Sequence, residues 1–283
     1  MKYKIALGQI SPRLGDVAAN LKKYREYIDR AIDQGVELLV FPELSLTGYT
    51  LKDMVPVAAQ RLDEPIIAEL IEASHELSLV IGFVEESSDY RYYNSSAYLE
   101  GGKVVHIHRK VYLPTYGMFD EQRYFAWGET IRSFDCKLGR TAMLICEDFW
   151  HPSAVYISSQ DGSDVLIGIS CSPGRGVSTD EKLYSSKAWE TLNKMYAQFF
   201  GQYVIFVNRV GYEDGVNFWG GSEIVDPDGE TVLKAKYFDE DLAVGEIDTD
   251  RIRRSRILSP LLRDEKLDLT VRELQRIQKR RYE

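Results

Sequence analysis

Five short, unbroken apolar runs constrain this chain most: Leu38–Phe41, Leu79–Val84, Thr141–Ile145, Val165–Ile169 and Tyr203–Asn208. Each is too short to stand as a helix and rich in branched side chains, so each reads as a strand buried on both faces. Such strands need cover above and below. A helix is expected over 17–34, capped by Asp16, with Val17, Leu21, Tyr24, Ile28, Ala31 and Ile32 as its apolar stripe and Gly35 as its end. Others are expected over 64–77 and 180–200, the latter carrying Leu183, Trp189, Leu192, Met195, Tyr196 and Phe199. Residues 3–10 alternate as a strand, and Tyr93–Leu99, Gly101-Gly102 and Lys103–Ile107 read as a hairpin. Further strands are expected near 130–135, 140–146, Phe218–Val225, 231–236 and 242–247, with a turn at Asp226-Pro227-Asp228-Gly229. Helices interleaved with groups of adjacent strands predict layered sheets covered by helices, not a simple βαβ repeat.

No linker or low-complexity segment divides the sequence. One domain is expected over 1–250, with 251–283 as a charge-dense C-terminal arm or extension, helical over 270–281. A net charge of −9 argues against a nucleic-acid partner, because phosphate binding needs a basic face. No apolar run approaches the ~20 residues that span a bilayer, and no signal peptide is visible, so a cytoplasmic protein without membrane attachment is expected. The three cysteines, Cys136, Cys146 and Cys171, are odd in number and not spaced as metal pairs, which suits a reducing compartment.

Three of the apolar segments end in reactive groups. Glu43 follows Leu38-Leu39-Val40-Phe41 and a proline, Lys110 ends the strand Val104–His108 after Arg109, and Cys146 follows Thr141–Ile145. Taken singly, these are an ordinary loop carboxylate, a solvated lysine and a core thiol. Together they offer a base, a cation and a nucleophile at the outgoing ends of strands, where α/β folds place ligand-facing groups. Cys171 also follows a buried strand, but its neighbours supply no acid or base; it reads as structural, and Cys136 as packing. The competing arrangements are a Cys–His pair, with His151 five residues beyond Cys146, and a metal held by His106 and His108, which lacks a third ligand.

The segments Phe41-Pro42-Glu43-Leu44, Arg109-Lys110-Val111-Tyr112-Leu113-Pro114, Phe119-Asp120-Glu121-Gln122-Arg123-Tyr124-Phe125 and Ile145-Cys146-Glu147-Asp148 resemble the nitrilase superfamily of carbon–nitrogen hydrolases in composition and order. Gly48-Tyr49 and Gly220-Gly221-Ser222 extend the likeness over about residues 3 to 248. The resemblance implies a four-layer α-β-β-α sandwich and a Glu–Lys–Cys triad. In it, Cys146 is the nucleophile forming a thioester and Glu43 the general base. Lys110 stabilises the oxyanion with the backbone N–H of Glu147, and Glu121 holds Lys110 and helps position substrate. No metal or cofactor is expected, and the resemblance implies a homodimer or larger, with 251–283 as the exchanging arm.

Leu113–Glu121 and Ile145–Trp150 look most like the glutaminase domain of glutamine-dependent NAD synthetase, where this domain releases ammonia from glutamine. No Ser-Gly-Gly-x-Asp-Ser-type phosphate loop occurs in these 283 residues, so they are expected to perform the hydrolase chemistry alone. A stand-alone amidase acting on a small amide is the first expectation. The alternatives are a glutaminase subunit feeding ammonia to a separate synthetase-like partner, and an N-carbamoyl amine hydrolase. Candidate substrate-binding residues are Tyr49, Tyr116, Glu147, Phe149, Trp150 and Ser172, with Asn217, Phe218 and Trp219 closing the cleft. Arg175 reads as a surface residue, although it could meet a substrate carboxylate.

Overall fold

The computed structural model describes residues 1–175 and 183–282. In its first half the chain forms β1 (Lys2–Gln9), α1 (Val17–Asp33), β2 (Leu38–Val40), α2 (Val55–Ala58), α3 (Pro65–Ala73), β3 (Ser78–Glu86), β4 (Tyr92–Glu100) and β5 (Lys103–Arg109). Next come β6 (Ser133–Cys136), β7 (Gly139–Ile145), α4 (Pro152–Gln160), β8 (Val165–Ser170), α5 (Tyr184–Phe200) and β9 (Tyr203–Asn208). The last stretch holds β10 (Val210–Glu213), β11 (Val216–Trp219), β12 (Glu223–Val225), β13 (Thr231–Lys234), β14 (Asp241–Asp248), α6 (Asp250–Leu258), α7 (Leu261–Asp264) and α8 (Leu267–Tyr282).

The apolar runs become the parallel centres of two six-stranded sheets. One has the order β14-β1-β2-β3-β4-β5, the other β13-β12-β9-β8-β7-β6. In the first, β1, β2 and β3 are parallel; in the second, β7, β8 and β9 are. Antiparallel strands flank each trio. Successive side chains in a strand point to opposite faces, and the packing follows that period. Ile5, Leu7, Leu38, Val40 and Val80 pack with Leu144, Ile205 and Val207 of the second sheet. Their neighbours Ala6, Leu39, Phe41, Leu79, Ile81 and Phe83 face outward onto Leu21, Tyr24 and Ile28 of α1 and Ile67 and Leu70 of α3. On the far side, Ala154 and Val155 of α4 and Trp189, Tyr196 and Ala197 of α5 cover the second sheet. The result is the α-β-β-α sandwich that the resemblance implied.

Asp16 caps α1 as expected, its side chain accepting a hydrogen bond from the Ala19 N–H at 3.0 Å. Several expectations need revision. Phe218–Val225 is not one strand: Gly220 and Gly221 have φ of 68° and 60°, a left-handed turn that separates β11 from β12 and sends them to different sheets. The helix expected over 64–77 stops at Ala73. The helix expected over 180–200 begins at Tyr184, and residues 180–182 lie outside the described residues. α4 is not among the expected helices, and it carries Pro152 in its first turn. The segment beyond 250 begins as part of the sandwich, with Ile252 in the core, whereas α8 has no buried residue.

Candidate active site

β2, β5 and β7 end on the same side of the sandwich, and the turns after them carry the reactive groups. Pro42-Glu43-Leu44 bends sharply against β3, with Leu44 at φ 45°. Gly82 permits this approach, since a Cβ there would sit 2.3 Å from the Pro42 carbonyl oxygen. Along β5 the side chains alternate. Arg109 turns out to a bidentate pair with Glu85, while His108 and Lys110 turn inward. Cys146 also takes φ 45°, a conformation uncommon for a side-chain-bearing residue and found preferentially at functional turns.

The Lys110 ammonium is buried between two carboxylates, donating to Glu43 Oε1 at 2.8 Å and to Glu121 Oε1 at 2.7 Å. Asn94 Nδ2 donates to the same Glu43 oxygen at 2.7 Å, and the Cys171 backbone N–H donates to Glu43 Oε2 at 2.6 Å. Tyr49 Oη–H donates to Glu121 Oε1 at 2.5 Å. Burial alone would strip the proton from Lys110, but Glu121 and Glu43 outweigh it and hold the ammonium well above its usual range. Burial pushes the Glu121 carboxyl up to about 7, against the opposing pull of Lys110. The Tyr49 phenol is pushed well above its usual range by burial and by Glu121, so it remains a donor.

The Cys146 thiol accepts from Ser170 Oγ at 3.3 Å. Burial and the Glu43 charge raise it well above the usual thiol range, while Lys110 pulls the other way. It rests as a neutral thiol beside a carboxylate able to take its proton and an ammonium able to meet a new negative charge. Cys146 opens onto a cavity of about 190 Å³ walled by Tyr116, Phe119, Glu147, Trp150, Ser172 and Arg175, among others. Tyr116 Oη–H donates to Glu147 Oε2 at 2.8 Å, and the Arg175 guanidinium lies 5.0 Å from the Phe119 ring centre.

Of the expected cavity residues, Phe149 and Tyr49 are placed elsewhere, and Ser172 is at the cavity with its hydroxyl already engaged. Phe149 is fully buried between Trp189 and Tyr196 and belongs to the core. Ser172 borders the cavity, but its Oγ already accepts from the indole N–H groups of Trp189 at 2.8 Å and Trp219 at 3.2 Å. Tyr49 lies on the far side of Glu121, in a separate small cavity with Thr50 and Met118. Phe218 and Trp219 are buried, while the Asn217 carbonyl accepts from the Gly174 N–H. Arg175 is exposed, as expected of a surface residue, and it also borders the cavity. His151 stacks on Tyr112 with ring centres 3.6 Å apart, and His106 stacks on Phe134. Among the described residues, no group of three or more His, Cys, Asp or Glu is placed to hold a metal ion. No helix among them is long and apolar enough to cross a membrane.

Known proteins share this arrangement of chain and fold. The glutamine-dependent NAD(+) synthetase of Thermotoga maritima is 32% identical over 267 residues, covering 92% of this chain and 44% of that protein. A probable nitrilase of Schizosaccharomyces pombe is 29% identical, covering 83% of this chain and 84% of its own. Among solved structures, the Acinetobacter baumannii glutamine-dependent NAD+ synthetase superposes with a TM-score of 0.79 at 30% identity, over 89% of this chain and 47% of that one. A Helicobacter pylori carbon–nitrogen hydrolase superposes with a TM-score of 0.84 over 97% and 99% of the two chains, at an identity of 24% that speaks for the fold. The chain thus spans less than half the length of the NAD synthetases it matches. The family model described as carbon–nitrogen hydrolase matches residues 4–257, nearly the whole sandwich and its strand-end site, and the chain belongs to that family of enzymes.

Proposed function

We propose that the protein is an amidase that cleaves a primary amide through a thioester on Cys146 and releases ammonia, and that its substrate is the ω-amide of an amino acid, with glutamine the first candidate. The observation that carries the reaction is the buried set Glu43, Lys110 and Glu121, whose charges act on the Cys146 thiol where it opens onto the cavity. For the substrate it is the presence of both the Glu147 carboxylate and the Arg175 guanidinium in the cavity lining, opposite charges suited to an α-ammonium and an α-carboxylate. Its volume of about 190 Å³ suits a small molecule.

Glu43 removes the thiol proton as the sulfur attacks the amide carbonyl carbon. The oxyanion forms against the Lys110 ammonium and the backbone N–H of Glu147; one such donor is worth about 3 kcal/mol in the transition state. Glu43 then passes its proton to the departing nitrogen, and ammonia leaves with its electron pair from the broken C–N bond. Water enters, gives a proton to Glu43 and attacks the thioester. Collapse of the second intermediate frees the carboxylic acid, and the thiolate recovers the proton from Glu43. Glu121, bonded to both Lys110 and Tyr49, keeps the ammonium aimed while Glu43 changes protonation.

The NAD synthetase relatives favour a second reading, in which the ammonia passes to a synthetase half carried elsewhere. An ammonia-release screen over glutamine, other ω-amides, short aliphatic amides and N-carbamoyl compounds tests the substrate assignment that both readings share. Activity on glutamine with none on N-carbamoyl compounds supports the proposal. Activity confined to short aliphatic amides or N-carbamoyl compounds contradicts the substrate assignment, and release that survives Cys146→Ala contradicts the mechanism. We also place the protein in the cytoplasm, in keeping with its free thiols. Outward-facing Ile157, Phe199, Leu261, Leu267 and Leu274 favour a homodimer or larger assembly, which light scattering would measure.

A further inference from the structure

The thiol and the ammonium belong to different sheets, since Cys146 follows β7 and Lys110 follows β5. One side chain bridges them. Asp148 is fully buried and accepts four hydrogen bonds, the capacity of an ionised carboxylate. Its Oδ1 accepts from the backbone N–H groups of Val111 at 3.1 Å and Tyr112 at 3.0 Å, the two residues after Lys110. Its Oδ2 accepts from the Ile145 N–H at 3.0 Å, the residue before Cys146, and from His108 Nε2 at 2.8 Å, two residues before Lys110 on the same strand face. Lys110 is therefore gripped from both sides by a group two residues along the chain from the nucleophile. The carboxylate requires His108 to present an N–H at Nε2, which fixes the proton position on that ring. Neither residue lines the cavity at Cys146, and both lie outside the Glu43–Lys110–Glu121 cluster.

We propose that Asp148, oriented by His108, is a positioning residue that sets the separation of the Cys146 thiol from the Lys110 ammonium by clamping the end of β5 to the end of β7. The proposal rests on the reading of Cys146 as nucleophile. A displacement near 1 Å at such a site costs about 10²-fold in rate. In Asp148→Asn one acceptor becomes an N–H2 donor, which meets either the Val111 and Tyr112 N–H groups or the Ile145 N–H with a second donor. In His108→Leu the donor to Oδ2 is lost, whereas Gln at 108 keeps an N–H at nearly the position of Nε2.

The test follows kcat and KM for ammonia release, together with the rate at which iodoacetamide alkylates Cys146, read by mass spectrometry against Cys136. Asp148→Asn and His108→Leu should each lower kcat about 10²-fold with KM within about threefold. Both should slow alkylation of Cys146 about tenfold or more, and His108→Gln should recover kcat and alkylation to within about threefold of the parent. A clamp of purely structural value would loosen the site and leave alkylation unchanged or faster. That result, or equal damage from His108→Gln and His108→Leu, overturns the proposal. The Cys146→Ala control separates the two claims. If it retains activity, the nucleophile assignment fails; if it is inactive while folded Asp148→Asn matches the parent, only the clamp fails.

Discussion

β7 and β8 are adjacent parallel strands, and each delivers a buried cysteine at its end: Cys146 after Ile145 and Cys171 after Ser170. Burial and the Glu43 charge push both thiols well up from the usual range, so acidity does not tell them apart. Geometry does. Cys146 takes a left-handed turn, stays 8% exposed and opens onto the cavity. Cys171 is 1% exposed, its S–H donates to the Glu43 carbonyl at 3.0 Å and its N–H holds the Glu43 carboxylate. One strand end presents a nucleophile, and its neighbour builds the frame that holds the base. A strongly perturbed pKa identifies the neighbourhood of a site, and access with backbone conformation identifies the residue that reacts.

Four changes break or sharpen that contrast. Lys110→Met should have the largest effect, lowering kcat about 10³-fold. It should also cost about 3–5 kcal/mol of stability, because it leaves two buried carboxylates without their cation; urea unfolding measures this. Glu43→Gln should lower kcat about 10²-fold while leaving KM nearly unchanged, since the amide keeps the size but cannot take the thiol proton. Glu121→Gln should act through pH. The folded-state pKa of Glu121, raised by burial to about 7 from its ordinary 4.5, means that the folded protein binds the extra proton across that window. Its stabilising contribution is therefore full below pH 4.5 and is lost as pH rises through 7, a downward slope in unfolding free energy that Glu121→Gln should flatten. Cys171→Ser should have the smallest effect, within about tenfold in kcat, because serine retains a donor to the Glu43 carbonyl and the backbone N–H is untouched.

Sequence made much of this legible where one residue type allowed one solution. The apolar runs had to be buried strands, and Glu43, Lys110 and Cys146 follow three strands whose apolar faces left the next residue at a sheet end. The identity of the core residues around the site was less accessible. Phe149 and Trp150 are adjacent aromatics with the same propensity, yet one fills a space between Trp189 and Tyr196 while the other borders the cavity. That outcome depends on the short helical turn over 146–150 and on packing from α5, both long-range consequences. His108 and Asp148 were illegible for a related reason. Nothing local pairs a strand histidine with an aspartate forty residues away, and only the stacking of the two sheets brings them to 2.8 Å.

The most direct test of the account is to find which thiol becomes acylated. Parent protein, quenched in acid during turnover of the best amide substrate from the screen, should carry the acyl group as a hydroxylamine-sensitive thioester on the peptide containing Cys146, with Cys171 unmodified. An acyl group on Cys171, or ammonia release by the parent and persistent turnover by Cys146→Ala, would contradict the division of roles between the two strand ends.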